Sequence, residues 1–474
     1  MVHKFLSKYG LAVHLALLAA LPLALTPFLS RPALATVVFW LCALAGVAFL
    51  VEPSRLAGEH LSQARARVRK ACALDPLFWF LLIALAFAAV EWFNVGEGLR
   101  YDPEQAAWAV AAPALGGGPT SIAPAGRGLF ATLLGAALVV LGIRHGLGLM
   151  ARTLFGLVGA MVAGLGGFAL AACACAGRAP FAGWMNAGFA QDPVWTSLFG
   201  VWLVIGLVSG VQAATRKWAA ARVPFILGIG GNATALVFCA PPLAALAWGL
   251  LALVAFVFSL AALARLKAGG AVARTFAFAV FGCALAAFMV MTFMPEAARA
   301  AKVEALDPAV AFPETHRAEA ETLARVSRDM WRSNPWFGVG ADAFGLQVPF
   351  FAEKADWEVL PAKPAFAPNG YWTLLAEQGI VGCLVVALGL GLLLVSYGAR
   401  LVGALGVIRA KDERDIFLFA VPPMAWCAPF VVALLAAETL FTPLFRTDHL
   451  FALALVALAL ASAAFPKAQK STEK

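Results

Sequence analysis

The chain has 474 residues, of which 62% are hydrophobic and 13% are charged. An ordinary globular protein carries about 25% charged residues, so this composition excludes a soluble enzyme, a disordered tail and a small secreted disulfide module. Long unbroken apolar runs also exclude an outer-membrane barrel, whose strands alternate in polarity. The net charge of +9 is scattered over short loops, where basic residues orient a membrane protein, so no nucleic-acid partner is expected.

Apolar runs long enough to cross a bilayer predict an all-α integral membrane protein with about 12 transmembrane helices. The runs lie near 11–29, 33–51, 74–93, 128–143, 153–174, 194–213, 223–239, 243–263, 275–294, 371–395, 416–436 and 450–465. One large loop separates helices 9 and 10. The chain therefore divides into nine helices over 1–294, a large periplasmic loop over 295–370, and three helices with a tail over 371–474. A smaller outer loop spans 94–127.

The distribution of lysine and arginine predicts which side of the membrane each loop faces. If the amino terminus is cytoplasmic, most basic residues of the short loops fall on the cytoplasmic side, as the positive-inside rule requires. Both termini are therefore expected in the cytoplasm, with the loops 94–127 and 295–370 on the outer side. The cytoplasmic loops contain no nucleotide-binding motif. Any chemistry is therefore expected at the outer face, without ATP.

Residues 314–332 of the large loop predict an amphipathic helix. Leu323, Val326 and Met330 share one face of it. Roughly the opposite face carries charged residues, namely Arg317, Glu321, Arg325, Arg328 and Arg332. Pro335 then ends the helix, because the residue before a proline disfavours helical geometry. The charged face is either a solvated surface on the membrane or an arginine row for phosphate, since guanidinium groups bind phosphate oxygens bidentately.

Two short motifs follow this helix. NPWFGVGADAFG over 334–345 contains a Pro-x-x-Gly-x-Gly turn, and NGYWTLLAEQGIVG over 369–382 enters the tenth predicted helix. In this order, inside one large outer loop, they resemble the motifs of the bacterial O-antigen ligase and polymerase superfamily. The matching residues are Pro335, Gly338, Gly340, Asn369, Tyr371, Leu375, Ala376, Glu377, Gly379 and Gly382. The resemblance at the level of motifs covers about 320–385, and the remainder agrees in topology alone.

The resemblance implies a glycan transferase of the bacterial inner (cytoplasmic) membrane. Such proteins take a glycan from an undecaprenyl-pyrophosphate carrier and pass it to an acceptor such as lipid A–core, without a metal or cofactor. Arginines at the membrane surface stabilise the charge on the leaving pyrophosphate. The arginines expected at the donor pyrophosphate are Arg317, Arg325, Arg328, Arg332 and Arg446. The expected partners are the lipid-linked glycan, a glycan acceptor and membrane lipids.

The sequence departs from the family at its proposed catalytic histidine, which precedes the asparagine of the second motif. Pro368 occupies that position, and proline is neither a base nor a backbone hydrogen-bond donor. The candidates for the catalytic role are His316, His449 and Glu377, although Glu377 is equally consistent with a structural pair between helices. A ligase is therefore the leading interpretation. A polymerase using the same donor, a transporter of lipid-linked glycan, and a non-catalytic glycan-handling protein stay open.

Overall fold

The protein is seen in a computed structural model that describes residues 40, 43–44, 46–55, 58–96, 99–102, 107–110, 121–122, 125–175, 193–215, 221–239, 242–265, 269–294, 296, 314–341, 343–360, 367–409, 430–431 and 433–437. This part of the chain is predominantly helical. The predicted membrane spans at 11–29 and 450–465 lie outside it, and those at 33–51 and 416–436 are described only in part.

Eleven α-helices are described. Those before the large loop are α1 (Leu61–Ala73), α2 (Pro76–Phe93), α3 (Ala125–Leu141), α4 (Leu149–Cys175), α5 (Pro193–Thr215), α6 (Arg222–Cys239), α7 (Pro242–Arg265) and α8 (Gly269–Phe293). The large loop contributes α9 (Glu314–Ser333) and α10 (Phe344–Phe351), and α11 (Gly370–Arg409) follows it. A five-residue π-helix, Gly142–Gly146, continues α3, and a short 3₁₀ helix, Lys354–Glu358, follows α10.

The helices α2 to α8 and α11 coincide with eight of the predicted membrane spans. Six stretches within the described residues are long and apolar enough to cross a bilayer, in α2, α4, α5, α7, α8 and α11. The apolar parts of α3 and α6 are shorter. These helices indicate a membrane-embedded protein. The helix α1 was not predicted, because its composition is basic rather than apolar.

The segment 94–127, predicted as a loop, contains four short strands. The strand β1 (Val95–Gly96) pairs in parallel with β4 (Ser121–Ile122), and β2 (Leu99–Asp102) pairs antiparallel with β3 (Ala107–Val110). The prediction of an all-α chain missed them, because strands of two to four residues leave no measurable alternation in the sequence.

The centre of the bundle is formed by α4, α5 and α6, which approach closely through glycines. A Cβ atom at Gly164 of α4 would lie 2.4 Å from the carbonyl oxygen of Leu227, and one at Gly231 of α6 would lie 2.0 Å from the carbonyl oxygen of Gly164. Small residues allow such contact between the backbones of membrane helices. The amide of Asn232 donates to the carbonyl oxygen of Ala160 at 2.8 Å. This bond crosses the same contact and links α6 to α4.

A buried ion pair joins Asp75, the residue directly before α2, to the π-helix. Nε of Arg144 donates to Oδ2 of Asp75 at 2.6 Å, and Nη2 donates to Oδ1 at 3.2 Å. Nε2 of His145 lies 2.8 Å from the same Oδ2. A π-helix has more residues in each turn than an α-helix, so the consecutive side chains of Arg144 and His145 point in more similar directions around the helix axis. Nη2 of Arg144 also donates to Oγ of Ser396 in α11 at 2.8 Å.

Replacing Asp75 by Ala is expected to destabilise the protein by about 3–5 kcal/mol, because the guanidinium group of Arg144 would stay buried without its carboxylate. The free energy of unfolding in detergent micelles measures the effect. Arg55→Ala is the matched control, since the ion pair of Arg55 with Glu52 is exposed and 3.5 Å long. The control is expected to cost less than about 1 kcal/mol, and equal costs for the two variants would contradict the prediction.

Candidate functional site

The helix predicted over 314–332 is present as α9, and its apolar face is buried. Leu323, Val326 and Met330 pack in one cluster with Phe344 of α10 and Ala376 of α11. The arginine helix is therefore part of a small hydrophobic core in the outer loop. Its position is fixed by the start of α11, so the helix does not lie loosely on the membrane surface.

The arginines of α9 differ in their surroundings. The guanidinium group of Arg325 forms a short hydrogen bond with the carboxylate of Asp356. It also lies 3.7 Å from a carboxylate oxygen of Glu353 and 3.8 Å from one of Asp329. Hydrogen bonding to Asp356 raises the pKa of Arg325, and the bond from Arg325 holds the pKa of Asp356 below its ordinary value of 3.8. This arginine is therefore engaged in holding the 3₁₀ helix against α9.

Two arginines of α9 are more available to a ligand. Arg332 is exposed and lies 3.7 Å from Asp329. Arg328 is exposed, and no ion pair reaches it from the described residues. The acidic partners of Arg325 were missed by sequence reasoning, because Glu353 and Asp356 lie in a stretch without a recognisable motif. Among the arginines of α9 whose side chains are described, Arg328 is thus the one most available to an external phosphate.

The two motifs that carry the family resemblance are hydrogen-bonded to each other through the backbone. The N–H of Val339 donates to the carbonyl oxygen of Ala376, and that of Gly340 donates to the carbonyl oxygen of Glu377, both at 2.9 Å. Two further bonds run in the opposite sense, from Ile380 to Pro335 at 2.9 Å and from Val381 to Trp336 at 3.0 Å. We call this arrangement the glycine clasp, formed by residues 335–340 and 376–381.

The clasp requires glycine at two facing positions. Gly379 interrupts α11 with φ of 61° and ψ of −163°, and Gly338 has φ of 67°. A Cβ at Gly338 would lie 2.4 Å from the carbonyl carbon of Glu377, and one at Gly379 would lie 2.5 Å from the carbonyl oxygen of Trp336. Only a residue without a side chain accepts both the left-handed backbone and this close approach. The break in α11 frees the backbone groups that the turn then binds.

Glu377 lies inside the clasp and is buried. Its Oε1 accepts the backbone N–H of Phe344, the first residue of α10, at 3.1 Å. A carboxylate at this place satisfies an N–H that has no partner within the helix and complements the helix dipole. This contact gives Glu377 a structural role at the start of α10.

Asn369 and Tyr371 of the second motif have separate functions in the fold. The side-chain oxygen of Asn369 accepts the N–H of Trp372 at 2.9 Å, so Asn369 caps the amino terminus of α11. The hydroxyl of Tyr371 donates to the carbonyl oxygen of Ala436 at 3.0 Å. That bond ties α11 to the helical residues 433–437. Pro368 directly precedes the cap, where it offers no side-chain base.

Glu91 of α2 and Gln378 of the second motif also take part in the site. Oε1 of Glu91, near the end of α2, accepts the N–H of Ala341 at 3.0 Å and the side-chain amide of Gln378 at 3.0 Å. Sequence reasoning missed Glu91, although a carboxylate in an otherwise apolar membrane span is itself a signal of a specific role. Gln378 was missed because it is one of the variable positions of the motif.

The remaining predicted site residues are not brought into this arrangement. The side chains of His316 and Arg317, in the first turn of α9, lie outside the described residues, as do Arg446 and His449. The described site thus consists of an arginine helix, a backbone clasp and two buried carboxylates.

Comparison of the sequence with protein-family models and with curated proteins found no match. The interpretation of the site therefore depends on the residues described above.

Gly379→Ala is expected to open the glycine clasp, because the added methyl group collides with the backbone of Trp336 at a left-handed residue. Amide hydrogen exchange at residues 338–340 should rise at least tenfold, because the four hydrogen bonds between residues 335–340 and 376–381 weaken together. Gly391→Ala is the matched control in the same helix, since a Cβ there meets nothing within 4 Å. Unchanged exchange in Gly379→Ala would show that the clasp does not depend on this glycine.

Acidification is expected to release the 3₁₀ helix from α9. The pKa of Asp356 is lowered by its bond to Arg325, so this bond contributes stability above the ordinary pKa and loses it as the pH falls below that value. A spin label at Lys354→Cys, in a background without other cysteines, should be immobile at pH 6 and become mobile as the pH falls below about 4, through the lowered pKa of Asp356. Adding Asp356→Asn should make the label mobile at both pH values, and a pH response that survives this substitution would contradict the assignment.

Proposed function

We propose that this protein is a membrane glycan transferase of the O-antigen ligase type. It takes a glycan from an undecaprenyl-pyrophosphate carrier and passes it to an acceptor hydroxyl, such as one on lipid A–core, at the outer face of the inner membrane. The single observation that carries the proposal is the glycine clasp. The two motifs that resemble this family are separated by 23 residues in the sequence, yet they are hydrogen-bonded to each other and lie directly after the arginine helix.

The position of the arginine helix supports the choice of an anionic lipid-linked donor. The clasp and the helix belong to the segment that leads directly into α11, a membrane-spanning helix. Trp336 and Trp357 of the same outer loop are exposed, and exposed tryptophans favour the boundary between membrane and water. Arg328 is exposed on the adjoining helix. A permanent positive charge on this helix suits the pyrophosphate of a membrane-embedded carrier and so supports the proposal.

The proposed reaction needs no oxidant or nucleotide. The acceptor oxygen bonds to the anomeric carbon of the donor sugar, and the bond from that carbon to the pyrophosphate oxygen breaks. The proton of the acceptor hydroxyl passes to a base, and undecaprenyl pyrophosphate leaves with the bonding electrons. Arg328 would stabilise the negative charge that grows on the leaving group, which is the main catalytic contribution of fixed cations in such a site.

The identity of the general base is also a proposal, because Pro368 stands at the position of the family's histidine. His316 and His449 are the proposed replacements. Glu377 is the weaker choice, since its Oε1 is already bound to the N–H of Phe344. A general base contributes typically 10²–10⁴-fold to the rate. A member without one would therefore bind the donor and transfer its glycan slowly.

Arg328→Ala is expected to lower transfer at least tenfold, because the substitution removes the charge that faces the pyrophosphate. The assay uses purified protein in nanodiscs, an undecaprenyl-pyrophosphate oligosaccharide and lipid A–core, with products followed by gel and mass spectrometry. Lys354→Ala is the matched control, since Lys354 is an exposed cation of the same loop that lies on the 3₁₀ helix. Wild-type transfer by Arg328→Ala would remove the proposed role of this arginine.

The same assay separates the alternative functions. Glycan chains that lengthen on the carrier, without appearing on lipid A–core, identify a polymerase. Donor binding that depends on Arg328 but gives no product identifies a glycan-handling protein without transfer activity, which Pro368 favours. The absence of both donor binding and transfer would exclude the ligase proposal. A transporter or an assembly protein would then be the remaining interpretations.

A further inference from the structure

Glu91 is a buried carboxylate at the outer end of a membrane-spanning helix. It lies two residues before the last residue of α2, and its relative exposure is 1%. Removing a carboxylate from water costs free energy unless hydrogen bonds replace its hydration. A carboxylate retained at such a place in a membrane protein indicates a specific partner.

The partners of Glu91 lie in or directly beside the two halves of the glycine clasp. Ala341 directly follows the glycine turn, and its N–H donates to Oε1 of Glu91. Gln378 directly precedes the break at Gly379, and its amide donates to the same oxygen atom. One carboxylate oxygen thus joins the outer end of α2, the glycine turn and the broken start of α11.

This junction determines where the arginine helix sits relative to the membrane. Ser333, the last residue of α9, is followed directly by Asn334, whose carbonyl oxygen accepts the N–H of Gly338 at 2.8 Å. No flexible linker therefore separates Arg328 from the clasp. Because α2 spans the bilayer, its bond to Ala341 holds the clasp, and with it the arginine helix, at the outer end of that span.

We propose that Glu91 is a positioning residue for glycan transfer: by accepting from Ala341 and Gln378, it holds Arg328 at the level of the donor pyrophosphate. The role in transfer rests on the proposed function, whereas the junction itself does not. Glu91 acts here as a hydrogen-bond acceptor. Its negative charge is not required for positioning, and this separates the proposal from a role in proton transfer.

The test compares Glu91→Gln with Glu91→Ala in nanodiscs. The amide oxygen of glutamine still accepts from both partners, so Glu91→Gln should keep transfer within threefold of wild type. Alanine removes the acceptor, so Glu91→Ala should raise amide exchange at residues 338–341 at least tenfold and lower transfer at least tenfold. Glu52→Ala serves as the control for an exposed carboxylate. Gln378→Ala is the milder second variant if Glu91→Ala does not fold, and it should raise the same exchange by a smaller factor.

The outcomes are distinguishable. Unchanged exchange at 338–341 in Glu91→Ala and Gln378→Ala would overturn the junction. Loss of transfer in Glu91→Gln with normal exchange would overturn the positioning role and assign Glu91 to proton transfer. Raised exchange in Glu91→Ala, together with no transfer by the wild-type protein, would support the junction while removing the proposed function.

Discussion

The outer half of this protein depends on backbone hydrogen bonds between a glycine turn and an interrupted transmembrane helix. An unbroken helix satisfies its own N–H and carbonyl groups, so it has none to offer a neighbouring loop. The break at Gly379 exposes such groups, and the turn around Gly338 binds them. The hydrophobic cluster beneath α9 and the cap from Glu377 to α10 then follow from this contact, because both are built on the residues just before the break.

The helix α2 connects this outer assembly to the opposite end of the bundle. Asp75, before its first residue, reaches Ser396 of α11 through Arg144, and Glu91, near its last turn, binds Gln378 of α11. The two points are about 24 Å apart along α2 at 1.5 Å per residue. The two helices run antiparallel and are joined by polar contacts at both ends. Between these contacts they need only apolar packing, which suits a membrane interior.

The sequence alone allowed correct prediction of the elements whose signals are local. Apolar runs predicted α2 to α8 and α11, and periodicity predicted the buried face of α9 at Leu323, Val326 and Met330. The partners of Arg325 and the bonds of Glu91 were not predictable in this way. Arg325 and Asp356 are 31 positions apart, and Glu91 lies 250 or more positions from its partners. Nothing in either local stretch indicates the other. The ion pair of Arg144 with Asp75 was missed for the same reason, since the two residues are 69 positions apart.

The break at Gly379 also divides α11 into a short first part and a longer second part. The apolar part of α11 beyond the break, from Ile380 to Ala399, has 20 residues, or roughly 30 Å of helix, which equals the thickness of the hydrocarbon layer of a typical bilayer. When this part spans the hydrocarbon, Gly379 lies at its boundary. A membrane with longer or shorter acyl chains makes such a helix tilt or distorts the lipid around it. Since the glycine clasp contains Gly379, a helix matched to the bilayer in this way couples the geometry of the clasp to the hydrophobic thickness of the surrounding membrane.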